Sequence, residues 1–212
     1  MVQPPHTRLL TTAARKILRP LGLSQKGRSR LWTDDHGWWL IVVEFQPSGW
    51  SKGSYLNVGA MWLWEVDDFF AFHYGDCIEG FASFKNELQF MPLAENLARR
   101  AADEVERLRL LFPTVGAVAQ QLAAKSPRRF WDTFHAGMSC GLAGEMAQAA
   151  RFFDEVINTD DQREWAQAAV SRARAYSQML VDVSEFRRYI EGVIRQSRAQ
   201  LRLPEVIDIT LD

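Results

Sequence analysis

The stretch Trp38-Trp39-Leu40-Ile41-Val42-Val43-Glu44-Phe45-Gln46 decides the fold class of this chain. It is rich in aromatic and β-branched residues, which favour β-strands. Side chains alternate along a strand, so one face is wholly apolar and carries Trp39, Ile41, Val43 and Phe45. The other face ends in two polar residues, Glu44 and Gln46. We expect the apolar face to pack on helices and the polar end of the other face to stay accessible.

Turn-forming residues on both sides of this strand indicate an antiparallel meander. The run Asp34-Asp35-His36-Gly37 precedes the strand, and a loop rich in Gly, Ser and Pro follows it. The predicted strands cover residues 28–33, 38–46 and 54–64. The first turn is short, so the first two strands are expected to form a tight hairpin.

The register across the second turn decides which polar side chains meet. If Gln46 opposes Tyr55, then Glu44 opposes Asn57, and all four side chains share one face. A shift of one residue would break this grouping. A fourth strand is predicted over residues 80–84, with 88–91 as its extension.

Helical patterns flank the predicted sheet on both sides. Before it, apolar residues recur at helical spacing over residues 5–19, and Pro20 and Gly22 end this helix. From Pro92 onward the chain is predicted to be helical. The fold class is therefore α+β, with an N-terminal helix, a small antiparallel sheet of three to five strands, and a helical C-terminal half.

These elements divide the chain into two predicted domains. Residues 1–125 form an α+β domain with the antiparallel sheet, and residues 126–212 form a helical region packed on it. The apolar tail at 206–211 is predicted either as a late strand or as a frayed terminus. A late strand would pair with an open sheet edge in this chain or a neighbouring copy, so self-association through the tail is one expectation.

Composition and charge are those of a soluble folded protein. Of the 212 residues, 47% are hydrophobic and 24% are charged, and the net charge is −1. Residues 1–30 contain seven Lys or Arg and no acid, whereas residues 31–90 contain nine acids and two lysines. The sequence shows no transmembrane span and no signal peptide, and its two cysteines are too few for a disulfide scaffold. We expect a cytoplasmic protein that binds neither membranes nor nucleic acid.

Part of the chain resembles a known family. The resemblance covers residues 13–64 and rests on Ile17-Leu18-Arg19-Pro20-Leu21-Gly22-Leu23, Lys26-Gly27-Arg28, Trp32, Glu44-Phe45-Gln46, the Trp50 loop and Tyr55-Leu56-Asn57-Val58-Gly59. In this order the motifs resemble the opening of the domain of unknown function 4304 family, although Leu23 replaces the aromatic residue usual there. The resemblance implies an α+β domain, mostly in bacteria. It implies no reaction, so we transfer no catalytic residue.

A second resemblance covers residues 136–161, which look like a single tetratricopeptide-type helix pair. In such repeats, small residues lie at the helix crossing and a large residue lies in the core; the matching residues are Gly137, Gly144, Ala149 and Phe153. The pattern is lost one repeat length further on, so the resemblance implies one hairpin and not an array. Close packing of two helices explains the pattern without a peptide-binding role.

The sequence lacks the motifs of common enzymes and metalloproteins. It contains no G-x-x-x-x-G-K-[ST] or G-x-G-x-x-G phosphate loop, and its four histidines are scattered. The stretch 65–77 contains four acidic residues, with Asp76 the last of them, together with His73 and Cys77. It has no C-x-x-C, no H-x-x-x-H and no Ca²⁺-loop pattern. We therefore predict no cofactor and no bound metal.

The best candidate site is a group of polar, basic and aromatic residues on the predicted sheet and its loops. It comprises Lys26, Arg28, Arg30, Glu44, Gln46, Trp50, Tyr55 and Asn57. Such side chains line shallow pockets, and Arg28 is suited to binding a carboxylate or a phosphate. The favoured function is a non-catalytic module that binds a protein or a small acidic ligand and thereby neutralises or assists a partner.

Two alternatives stay open for this group. The side chains could form a cross-strand network on a solvated sheet face, with Glu44 paired to an arginine. Glu44 could instead act as an acid or base on a small molecule, together with Arg28 or His73. A closed pocket and a raised pKa at Glu44 would favour this enzyme. Residues 25–32 combine cations with aromatic rings, as nucleic-acid sites do, but the acids that follow disfavour that function.

Overall fold

The structure is a computed structural model that describes residues 3–211 and, of Asp76, only the backbone. It begins with helix α1 (Pro5–Leu18), which a 3₁₀ turn (Arg19–Leu21) follows. The strands come next: β1 (Ser24–Gln25), β2 (Leu31–Asp35), β3 (Trp39–Gln46), β4 (Gly53–Trp62) and β5 (Tyr74–Ser83). The remaining helices are α2 (Glu87–Leu111), α3 (Val115–Ala124), α4 (Phe130–Ala143), α5 (Met146–Ile157), α6 (Glu164–Met179) and α7 (Val183–Gln200).

The strands form one five-stranded antiparallel sheet whose spatial order is the order of the chain. The predicted α+β class, with its N-terminal helix and helical C-terminal half, is confirmed. The predicted register is also confirmed, since Gln46 pairs with Tyr55 and Glu44 pairs with Asn57. The polar residues at this end of β3 and β4 therefore do lie on one face.

Strand β5 begins earlier than the predicted fourth strand, and residues 88–91 are helical instead of extended. The early start depends on a close approach at Gly59, where a Cβ atom would lie 2.4 Å from the Tyr74 carbonyl oxygen. After β5, Asn86 Oδ1 accepts the Gln89 N–H at 2.9 Å, next to the start of α2. Phe90 is buried, and further buried residues follow it at helical spacing. Residues 88–91 are therefore helical, because this spacing continues along α2, whereas the apolar run that suggested a strand is short.

Strand β3 is buried on both faces over most of its length. Its predicted apolar face is buried, but Leu40 and Val42 on the opposite face are fully buried as well. The segment after β4 closes this face, because the Ala71 N–H lies 3.3 Å from the sulfur of Met61, and Met61 pairs with Leu40. Only the end that carries Glu44 is accessible.

A buried ionic cluster ties β2 to α2. Arg109 Nε donates to Asp34 Oδ2 at 2.8 Å, and His36 Nε2 lies 2.8 Å from the same oxygen. Arg109 also donates to the carbonyl of Leu21 at 2.6 Å. Burial raises the pKa of Asp34, but the hydrogen bonds from His36 and Arg109 outweigh burial and hold that pKa below its ordinary value.

The chain folds into two compact units that differ from the predicted domains. The first unit contains residues 3–62 and Phe69–Leu110, and the second contains Leu63–Asp68 and residues 111–211. Helix α3, which the sequence analysis assigns to the first domain, belongs to the second unit because it packs against α4. The short stretch Leu63–Asp68 also belongs to the second unit, far from the other residues of that unit in sequence.

In the second unit, α4 and α5 form the antiparallel hairpin predicted for residues 136–161. Gly137 allows the close crossing, because a Cβ atom there would lie 2.7 Å from the ring of Phe153. Gly144 ends α4 in the left-handed conformation, with φ of 89°. The relation of this hairpin to tetratricopeptide repeats stays a prediction.

The C-terminal tail is neither the late strand nor the frayed end that the sequence suggests. Over the described residues 203–211 it has no strand, yet Ile209 and Leu211 are buried. Arg195 of α7 holds the tail by donating to the carbonyl oxygens of Val206 at 2.8 Å and Ile207 at 3.0 Å. Self-association through this tail stays a prediction, and Ile207 is its exposed apolar residue.

Candidate functional site

The polar residues at the end of β3 and β4 form a small hydrogen-bonded network. Asn57 Nδ2 donates to Glu44 Oε2 at 3.2 Å and to Gln46 Oε1 at 2.8 Å. Tyr55 lies on the same face, and its ring centroid is 5.0 Å from that of Phe81 in β5. The structure therefore brings together four of the eight predicted residues, and three of them form a cross-strand network. In this network the described partner of Glu44 is Asn57 and not the arginine that the cross-strand alternative expected.

Arg30 lies apart from this network and ties the sheet to α1. Its guanidinium donates to Thr7 Oγ1 at 2.5 Å and to the Gly53 carbonyl at 3.3 Å. Arg30 precedes β2, and its carbonyl accepts the N–H of Phe45, so it lies on the apolar side of the sheet. Burial lowers the pKa of this guanidinium, which is half withdrawn from solvent. Its main role in this arrangement is structural.

The remaining predicted residues lie in two loops at the same end of the sheet. Lys26 and Arg28 are in the β1–β2 turn, and Trp50 is in the β3–β4 loop. The two loops share an end because Leu31, the first residue of β2, pairs with Glu44 near the end of β3. Arg28 is exposed, and Trp50 is 99% exposed. Lys26 Nζ lies 5.3 Å from the ring centroid of Phe70.

Two lysines that the sequence analysis did not select lie at this end as well. Lys52 follows Trp50 in the β3–β4 loop, and its carbonyl accepts the N–H of Phe84 at 2.9 Å, which brings Lys85 close. Both lysines are exposed, and neither forms an ion pair with any residue that the structure describes. We call the set Lys26, Arg28, Arg30, Lys52 and Lys85 the basic end of the sheet. Lys85 could not be selected from sequence because its position depends on the pairing of β5.

A cleft lies beside the basic end, between β5 and α2, and it too is not evident from the sequence. Its volume is about 370 Å³. Phe81, Leu93 and Leu97 supply its apolar wall, and Ser83 and Asn96 are among its polar lining residues. The cleft is joined to the predicted site because Phe81 contacts Tyr55.

The structure separates Glu44 from His73, one of the two partners considered for it in the predicted enzyme. Glu44 contacts Asn57, whereas His73 lies at the other end of β4, where its Nδ1 accepts the Trp62 N–H at 3.0 Å. The cleft beside the basic end is lined by other residues than Glu44. The geometry therefore gives Glu44 no histidine partner for acid–base chemistry.

The acidic stretch 65–77 does not assemble a metal site from the residues described. Among them, no group of three or more His, Cys, Asp or Glu side chains is placed to hold a metal ion. Glu65 belongs to the second unit, while His73 and Cys77 belong to the first. The side chain of Asp76 lies outside the described part of the structure.

The second unit contains a buried carboxylate that the sequence analysis did not identify. Glu65 is 8% exposed, and its Oε2 lies 2.9 Å from an Nη of Arg172 in α6. Burial raises the pKa of Glu65 to about 7, because the nearby arginine offsets only part of the desolvation. The neighbouring Trp64 donates its indole N–H to His135 Nδ1 at 3.1 Å, and Ser197 donates to the Glu65 carbonyl at 2.9 Å.

These contacts hold Leu63–Asp68 against α4, α6 and α7. The hydrogen-bonded groups are separated by 71 residues for Trp64 and His135 and by 132 residues for Glu65 and Ser197, so no local pattern could indicate the cluster. Glu65 Oε2 pairs with Arg172, whereas Glu65 Oε1 and Arg172 Nε are buried without a hydrogen-bond partner among the described residues. Because the contacts that do form hold Leu63–Asp68 in place, we interpret the cluster as a structural element.

Comparison of the chain with protein-family models, with curated proteins and with solved structures finds no match. The resemblance to the domain of unknown function 4304 family therefore stays a prediction. In the part of the chain that the structure describes, no helix has the length and apolar character needed to cross a membrane.

Proposed function

We propose that this protein is a non-catalytic, cytoplasmic binding module that recognises an acidic segment of a partner protein at the basic end of its sheet. Trp50 is the observation that carries the proposal. It is 99% exposed and lies in the β3–β4 loop, which also carries the exposed Lys52. Tryptophan and arginine contribute more than most residues to the binding energy of protein interfaces. By forming such a complex, this protein would neutralise or assist the partner that it binds.

The charges around Trp50 indicate the chemistry of the partner. Lys52 and Lys85 form no ion pair within the described residues, so carboxylates of a partner could bind them without displacing an internal acid. Arg28 is exposed in the β1–β2 turn at the same end of the sheet. Glu44, an acid of β3 at this end of the sheet, is already hydrogen-bonded to Asn57. Complementary charge of this kind speeds association and selects against basic partners.

Fluorescence anisotropy with labelled decaglutamate, over a series of salt concentrations, tests the proposal. We expect saturable binding to the full chain that weakens as salt rises. The double variant Arg28→Ala, Trp50→Ala should bind at least about tenfold more weakly, since each side chain is of a type that contributes more than about 1 kcal/mol at interfaces.

A matched double variant, Arg174→Ala with Ile207→Ala, removes an exposed arginine and an exposed apolar side chain from the second unit. It should bind decaglutamate like the original protein. The proposal fails if the two double variants bind alike, or if labelled decalysine or oligothymidine binds more tightly than decaglutamate. If free glutamate displaces decaglutamate completely, the ligand is a small acidic molecule and the proposal of an acidic protein segment is wrong.

A further inference from the structure

We infer that the acidic partner segment binds in an extended conformation along the outer edge of β5, as a sixth strand of the sheet, with its apolar side chains in the cleft between β5 and α2. This inference rests on the proposed function and names the geometry of the complex. It assigns a role to the β5 edge and the cleft, which the predicted site does not include.

Strand β5 is available for pairing on its outer side. It is the last strand in the order of the sheet, and residues along its whole described length are partly or fully exposed, whereas β4 is almost entirely buried. An edge strand presents backbone N–H and C=O groups that an extended peptide can pair with.

Side chains of α2 already bind two outward carbonyls of this edge. Arg100 donates to the Ile78 carbonyl at 3.2 Å, and Gln89 donates to the Ser83 carbonyl at 3.1 Å. These carbonyls are acceptors that the backbone of a partner strand could use in their place. From Ile78 to Ser83 the edge is roughly 17 Å long at about 3.3 Å per residue, which suits a segment of about six residues.

The cleft gives the segment a place for side chains. Phe81 of β5 and Leu93 and Leu97 of α2 are among its lining residues. Side chains on alternate positions of an added strand would point into this space, and those between them would point to the opposite face. Apolar residues at every second position therefore fit the cleft.

The charged side chains near the β5 edge indicate which residues of the partner segment fit at the positions that point away from the cleft. Lys52 and Lys85 lie at the Ser83 end of the edge, and Arg100 lies at the Ile78 end. The carboxylate of Glu79 is paired with Arg100, whereas Lys52 and Lys85 form no ion pair within the described residues, so their positive charges are open to a partner. The occupant that fits is a segment in which Asp or Glu alternates with apolar residues.

The first experiment uses a fluorescein-labelled octapeptide of alternating Glu and Val and measures anisotropy with the full chain. The same peptide with three N-methylated backbone nitrogens keeps every side chain and charge but loses the donors of a β-ladder. We expect N-methylation to weaken binding at least tenfold. Equal binding of the two peptides, or no binding of the first, overturns the inference.

A second experiment locates the peptide in the cleft. Asn96 is exposed and lines the cleft, so Asn96→Glu and Asn96→Lys change the charge there without removing a buried group. For the octapeptide we expect about two- to fivefold weaker binding to the Glu variant and correspondingly stronger binding to the Lys variant. If both variants bind it like the original protein, the peptide does not occupy the cleft and the inference is wrong.

The two proposals can fail separately. If decaglutamate binding depends on Arg28 and Trp50 while N-methylation and the Asn96 variants have no effect, the basic end is a binding surface and the β5 edge is not. If both double variants bind decaglutamate alike, the proposed function itself fails. Hydrogen exchange gives an independent reading, since the inference requires amides of β5 to gain protection when the octapeptide is added.

Discussion

Replacing the buried carboxylate of Glu65 by the neutral amide of glutamine should stabilise the protein at high pH. The pKa of Glu65 is raised from 4.5 to about 7 in the folded protein, chiefly by burial. The unfolded chain therefore releases this proton at lower pH than the folded chain does. The side chain's contribution to stability is complete below pH 4.5 and is lost as the pH rises through 7.

The magnitude follows from the size of this shift. Each pKa unit corresponds to about 1.4 kcal/mol, so by pH 8 the ionised glutamate has cost roughly 3 kcal/mol of the free energy of unfolding. At pH 5 the same linkage gives only about 1 kcal/mol. Arg172, the partner of Glu65, is more than a third exposed at its side chain, so water can solvate it when the carboxylate is removed.

Urea unfolding of the original protein and of Glu65→Gln, followed by circular dichroism at pH 5 and pH 8, measures this difference. The variant should be more stable by about 3 kcal/mol at pH 8 and by about 1 kcal/mol at pH 5. Glu205→Gln changes an exposed acid of the same unit and should have no comparable effect. A Glu65→Gln variant that is no more stable at pH 8, or whose advantage is the same at both pH values, would refute the reasoning.

Three further substitutions test other parts of the fold. Arg109→Ala leaves the buried carboxylate of Asp34 without its main cation and should lower the free energy of unfolding at pH 7 by about 3 kcal/mol. The exposed Arg99 on the same helix is the control, and an equal loss in Arg99→Ala would contradict this explanation. Gly59→Ala places a Cβ atom against the backbone of β5, which cannot yield, and should cost more than about 3 kcal/mol by urea unfolding. A loss below about 1 kcal/mol would show that the strands can separate there. Gly192→Ala, in an exposed part of α7 with open space around it, should raise the thermal midpoint, since alanine favours helices by about 1 kcal/mol; a lower midpoint would contradict the helix geometry.

The parts of the fold that the sequence predicts well are those set by local patterns. The alternation in β3 places Glu44 and Gln46 on one face, and the pairing of Gln46 with Tyr55 that the sequence analysis took as its condition is the observed one, so Glu44 joins Asn57. The helical spacing of apolar residues similarly indicated α1.

Prediction was least successful where contacts between distant residues decide the outcome. Strand β5 contains glycines and pairs irregularly with β4, so its sequence carries a weak strand signal, although the pairing itself is clear in the structure. Residue type alone groups Arg30 with Glu44, but its position just before β2 places its guanidinium against Thr7 instead. The pairing of Glu65 with Arg172 joins residues too far apart for any periodicity to reveal.

The route of the chain between the two units limits how this protein can be divided. A cut at residue 110 would deprive the helical fragment of Trp64 and Glu65, which hydrogen-bond to His135 and pair with Arg172. The six-residue stretch Leu63–Asp68 is thus part of the helical unit, although in the chain it lies between two strands of the sheet. A gene fusion or deletion that is meant to express the helices of the second unit alone would therefore also have to include Leu63–Asp68.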